Sequence, residues 1–175
     1  GKRTCSIAIP WTSAFAWVTA TATFFLLAIG GVVTAKEAGL AVVDWPNSFG
    51  YNMFLYPLSR MTGGIYFEHA HRLFGSLVGL TTLTLAIHLV RVDVRTWIRG
   101  LGFAALAMVI VQGILGGLRV TGRLTLSASP EDTAPNLILA MIHGVFGQVF
   151  FATLVSIAVF TLPSWRNPRN VVRTP

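Results

Sequence analysis

In 175 residues with a formal net charge of +7, 54% of the side chains are hydrophobic and only 11% carry charge. Such a chain is too apolar for an ordinary soluble domain and has the balance of a polytopic membrane protein. Its basic residues lie between apolar segments, which makes them topology signals and argues against a nucleic-acid surface, while the single cysteine, Cys5, excludes an intrachain disulfide and a thioether-linked haem.

Taken in order, residues 1–10 form a short basic N-terminus with Lys2 and Arg3, and a first apolar segment follows from about Trp11 to Val33. That run is longer than the apolar core of a signal peptide, and Gly30-Gly31 sits where a helix end is wanted, so the segment is read as a membrane helix. The loop at 34–67 carries Ala38-Gly39-Leu40, Asp44-Trp45-Pro46 and the aromatics Phe49, Tyr51, Phe54 and Tyr56, which read as an interfacial belt rather than a cofactor box.

The second span, Glu68 to Val90, opens on Glu68-His69-Ala70-His71-Arg72. On a helix, Glu68, His71 and Arg72 share one face at spacings of three and four, and His69 points elsewhere. An acid, a metal ligand and a cation thus converge at the mouth of an apolar segment, where the alternative is a charged helix end among lipid headgroups. A third span runs from Trp97 to Leu118, a polar loop at 119–136 contains Arg119, Arg123, Glu131 and Asp132, and a fourth span covers Leu137 to Leu162. Residues 163–175 form an Arg-rich tail or linker. Arginines 91, 95 and 99, the N-terminus and the tail form the richer basic set, which places both ends in the cytoplasm and the loops at 34–67 and 119–136 outside.

The halves of the chain resemble each other. Gly30-Gly31 closes the first span and Gly116-Gly117 the third, while His71-Arg72-Leu73-Phe74-Gly75 and His143-Gly144-Val145-Phe146-Gly147 share the pattern His-x-x-Phe-Gly. Two matches in the same order indicate a duplicated hairpin with a pseudo-two-fold axis along the membrane normal. The fold expected is therefore all-α, a polytopic four-helix bundle over 11–162 made of two repeated hairpins.

That symmetry brings His71 and His143 to equal depth on opposite sides of the axis, where a haem iron would find two axial imidazoles, with Gly75 and Gly147 leaving room for the ring edge. The competing use of these glycines is close helix packing. Zinc is disfavoured for want of further ligands. His69 and His88 have no mates, so one haem site per chain is expected. Arg72, Arg119 and Arg123 lie near the outer boundary, in place to pair with propionates or to reach headgroups, with Arg72 favoured because it adjoins a ligand.

These residues resemble the haem A synthase family. Its first-loop pattern is similar to Gly30-Gly31-Val32-Val33, Gly39-Leu40 and Asp44-Trp45-Pro46; its Glu-x-x-His-Arg motif to Glu68-His69-Ala70-His71-Arg72; its Val-Gln-Gly-x-Leu-Gly-Gly element to Val111-Gln112-Gly113-Ile114-Leu115-Gly116-Gly117; and its fourth-helix histidine to His143. The resemblance implies a half that holds substrate haem between two histidines and oxidises a methyl of haem O to the formyl of haem A, with Glu68 taking part. It also implies the lipid bilayer, haem O synthase and a terminal oxidase as surroundings or partners. Three departures stand out. Val42 and Ser48 occupy the positions of two loop cysteines, Thr34 replaces an arginine, and the chain has the length of one four-helix half, so a second half or a homo-oligomer would have to carry electrons away. A bis-histidine b-type cytochrome subunit, binding haem B without need of Glu68, is the competing expectation.

Overall fold

The chain is described here by a computed structural model covering residues 10–121 and 134–166. The expectations attached to Lys2, Arg3, Cys5, Arg123, Glu131, Asp132 and the tail beyond 166 lie outside the described residues. Four long helices account for most of what is described: α1 (Pro10–Ala35), α2 (Gly63–Val92), α3 (Thr96–Thr121) and α4 (Ala134–Phe160), with a single turn, α5 (Pro163–Arg166), after them. Each of the four is long and apolar enough to cross a membrane, as the composition predicts. In lipid, their hydroxyl side chains need internal acceptors, and they find them one turn back: Thr19 on the carbonyl of Phe15, Thr23 on Thr19, Thr82 on Val78 and Thr161 on Ile157.

The helices pack in a closed square, α1 on α2, α2 on α3, α3 on α4 and α4 on α1, so α2 and α4 face each other along a diagonal. The sealed apolar core occupies one half of the bundle only. Ala16 and Ala20, Val78, Leu85 and Leu89, Ile98 and Ala105, and Phe150, Leu154 and Ile157 all lie toward the end where α2 turns into α3. That end is locked by Asp93, which is buried and takes two hydrogen bonds from the Arg95 guanidinium, at 2.9 and 2.7 Å, and a third from the Arg95 backbone N–H at 3.0 Å. Arg95 also donates to the Phe160 carbonyl, tying the α2–α3 turn to the end of α4. An arginine read as a topology signal is therefore also a structural tie.

At the opposite end, α2 starts five residues earlier than expected. The first charged residue of the segment marks a natural helix boundary in the sequence, whereas Gly63, at φ +53°, makes the turn into the helix, and Gly64 nests against Ala38 and Ala41 of the preceding loop. Glu68 accordingly sits in the second turn, where it cannot act as a helix cap.

Candidate functional site

The two hairpins carry matching contacts. On the first, the His71 ring lies against Gly30 of α1, where a β-carbon would come within 3.1 Å of Cε1; on the second, the His143 ring lies against Gly116 of α3, where the same atom would stand 3.6 Å away. One turn deeper, Leu26 of α1 approaches Gly75 and Gln112 of α3 approaches Gly147. Both members of each pair hold equivalent places in the repeat. Glycines that read as helix ends in the sequence are thus platforms for the two imidazoles, and a side chain at Gly30 would push the ring out of its position.

The imidazoles of His71 and His143 are within electrostatic range of one another, and the Arg119 guanidinium is within range of both. Nδ1 of each ring is buried without a hydrogen-bond partner, and so is Nε of Arg119. Buried polar atoms are seldom left this way unless a missing partner completes them. The donor set decides what that partner can be. Among the described residues there is no cluster of three or more His, Cys, Asp and Glu side chains able to hold a bare ion. A pair of imidazoles suits an iron whose other ligands come from a macrocycle, and a guanidinium beside it with a buried, unpartnered Nε suits the carboxylates such a ring carries. The glycines one turn deeper are unequal: Gly75 has only Leu26 Cδ1 at 4.0 Å, while the space over Gly147 is taken by Gln112 Nε2 and Leu27.

Above the histidines, residues 36–62 fold back as a roof held by Arg72. Its guanidinium donates to the carbonyls of Val42 (2.7 Å), Asp44 (2.7 Å) and Asn47 (3.1 Å) and to Glu68 Oε1 (2.6 Å). The other oxygen of Glu68 accepts the Val42 amide N–H at 2.8 Å. So the acid and the cation that share a face with His71 both reach up to the loop, while Arg119 keeps a buried Nε without a partner. The roof extends to α3, where the Trp45 ring fills the space at Gly117 and the Arg119 guanidinium rests on Gly39. Asp44 closes the loop on itself by accepting the N–H groups of Phe49 (2.7 Å) and Gly50 (2.8 Å), both in the left-handed region. Burial pushes the Asp44 carboxyl up, but those backbone donors and Arg72 outweigh it and hold the group below its ordinary value.

His69 faces away from the histidine pair. It is buried, shares a hydrogen bond with Ser48 (3.1 Å) and packs on Tyr56, which in turn meets Phe49 and Tyr51. Three of the four loop aromatics therefore meet in a cluster over His69, of which Tyr56 is buried while Phe49 and Tyr51, like Phe54 outside the cluster, keep an exposed face. His88, at the far end of α2, is held by the Thr12 hydroxyl at 2.9 Å. Gln112 was visible in the sequence only as part of a motif. Overlaying the hairpins singles it out, since the residue four before Gly116 is a glutamine where the residue four before Gly30 is Leu26.

A family model described as a cytochrome oxidase assembly protein, COX15-CtaA, matches residues 13–171. The chain is also 26% identical over 134 residues to a protein named protohaem IX farnesyltransferase from Haloarcula marismortui, a match covering 77% of this chain and 26% of that protein. The chain thus spans about a quarter of the length of the curated relative it matches. No solved structure matches it significantly.

Proposed function

Because the chain belongs to the COX15-CtaA family of cytochrome oxidase assembly proteins, we propose that it holds haem O as substrate and oxidises a ring methyl to the formyl group of haem A. The observation that carries this reading is the matched pair of imidazoles, His71 on Gly30 and His143 on Gly116, each with an unsatisfied nitrogen above a sealed apolar core. A relative named for farnesylating protohaem adds support, because haem O is a farnesylated haem. When bound, the haem supplies the iron and the oxidisable methyl carbon.

The chain's own residues hold and orient it. His71 and His143 would hold the iron, Arg119 would anchor a carboxylate of the ring, and the loop with Val42 and Trp45 would cover the site from above. Glu68, the one acid on the helix that carries His71, is the proton acceptor in this proposal, with Arg72 beside it at 2.6 Å as the counter-charge. Turning the methyl into a formyl group takes one oxygen atom from water and releases four electrons and four protons; the described residues offer no second histidine pair for the electrons, so a second four-helix body or another copy of the chain is the proposed acceptor. The test is reconstitution of the purified chain with haem O and an electron acceptor, followed by chromatography of the extracted haem. Haem A should appear, Glu68→Gln should bind haem yet form none, and recovery of unaltered haem O from the wild type would end the proposal.

A second reading, a bis-histidine electron-transfer subunit, is favoured by one observation: both Glu68 oxygens are already engaged, by Arg72 and by Val42. A low-spin haem spectrum with unaltered haem recovered from the reconstituted wild type would favour it, whereas full product yield from Glu68→Gln would leave the oxidation standing and reduce Glu68 to a structural role. In either case we propose cytoplasmic termini, from the arginines at 91, 95 and 99 set against Lys36 and Arg60 alone in the first loop. Reporter fusions at Arg95 should read cytoplasmic and those at Asn47 external; the reverse would invert the bundle.

A further inference from the structure

Gln112 breaks the symmetry of the site. The Leu26 side chain opposite Gly75 is apolar, whereas Gln112, in the equivalent place opposite Gly147, brings an amide into the middle of the bundle, where Leu27 of α1 meets it over the same glycine. Its Nε2 donates to the main-chain carbonyl of His143 at 2.9 Å. A carbonyl only accepts, so the amide must present its nitrogen there, and the orientation of the side chain follows from chemistry. Oε1 is then turned away from its one partner, and it is buried with no hydrogen-bond donor. No neighbouring chain group satisfies it, and an apolar residue would serve helix packing equally well, as Leu26 does.

We propose that Gln112 is a specificity-determining residue: its Oε1 accepts a hydrogen bond from a hydroxyl group on the side chain of the bound haem. This rests on the haem-binding reading given above and deepens it by naming the feature of the substrate that is recognised. Haem O carries a hydroxyl on its farnesyl-bearing substituent, where protohaem has a vinyl group that can donate nothing. A buried acceptor aimed at that hydroxyl favours the prenylated haem and fixes which edge of the ring faces α3. The arrangement also explains why the polar member of the repeat stands beside His143. The residue that sets the rotation of the ring is hydrogen-bonded to the backbone of a residue that ligates it, so the two are positioned together.

The experiment is a titration of the purified chain with haem O and with protohaem, each followed by the Soret band, for the wild type and for Gln112→Leu, which restores the symmetry with Leu26. The wild type should prefer haem O. In Gln112→Leu the ratio of the two affinities should fall about tenfold, the scale of one buried hydrogen bond, with protohaem binding little changed. Protohaem binding itself shows that the variant is folded, and Gln112→Met, close in shape and unable to accept strongly, repeats the measurement if the leucine variant fails to bind it. An unchanged ratio in a variant that binds protohaem, or a wild type without preference for haem O, overturns the proposal. A wild type that binds neither haem overturns the haem-binding reading on which it rests.

Discussion

Alanine at His71 or at His143 abolishes the low-spin spectrum of the haem-loaded protein, the first of the two largest effects expected. Each ring is the sole imidazole its hairpin contributes to the site, and removing one leaves iron with a single protein ligand. His88→Ala is the control, because that ring is hydrogen-bonded to Thr12 at the far end of α2 and its loss leaves the spectrum unchanged. The glycine platforms give a finer test. A methyl at Gly30 would sit 3.1 Å from the His71 ring, closer than side chains normally tolerate, while the same change at Gly116 leaves an ordinary 3.6 Å contact with His143. Gly30→Ala should therefore disturb the spectrum and Gly116→Ala should not. Absorption spectra of the five purified variants decide the matter, and a wild-type low-spin spectrum in both histidine variants would place the haem elsewhere.

The parts of this molecule that were legible in the sequence are those set by short-range pattern. Four apolar runs are enough to specify four spans, since length against the bilayer leaves little freedom. The repeat His-x-x-Phe-Gly is enough to pair α2 with α4, since equivalent residues of equivalent hairpins come to equivalent places. What the sequence could not supply is the loop. Nothing in Gly63-Gly64-Ile65-Tyr66-Phe67 marks a membrane helix, and α2 extends through it because Gly64 packs on Ala38 and Ala41 about two dozen residues earlier. Likewise Glu68 and Arg72 announce an ion pair at helical spacing, but that their remaining bonds go to Val42, Asp44 and Asn47 depends on the path of the backbone between them. Even Ser48, which stands where a cysteine is expected, has a role that no local pattern discloses, because its partner His69 faces away from His71 and His143.

The second large effect is expected at Arg72. The Arg72 and Glu68 side chains are 9% and 5% exposed, and the pair is 2.6 Å apart. A pair this buried contributes little by its mere existence, because desolvation offsets the attraction, but removing one partner strands the other. Arg72→Ala leaves the Glu68 carboxylate without a counter-ion and three loop carbonyls without a donor, which should cost about 3–5 kcal/mol. The roof should loosen with it, exposing residues 36–62 to protease. Lysine is no substitute, because a single ammonium cannot span four acceptors laid out for a guanidinium fork. The decisive variant is the double one. If the loss arises from a stranded charge, adding Glu68→Gln to Arg72→Ala removes the carboxylate, keeps an acceptor for the Val42 amide, and recovers part of the stability; if it arises only from the three lost carbonyl bonds, the double variant is no better than the single. Thermal unfolding in detergent, with loop proteolysis in parallel, separates the outcomes. A cost below about 1 kcal/mol for Arg72→Ala, the range of an exposed pair, would mean that the roof is held by other contacts, with Trp45 against Gly117 the first to examine.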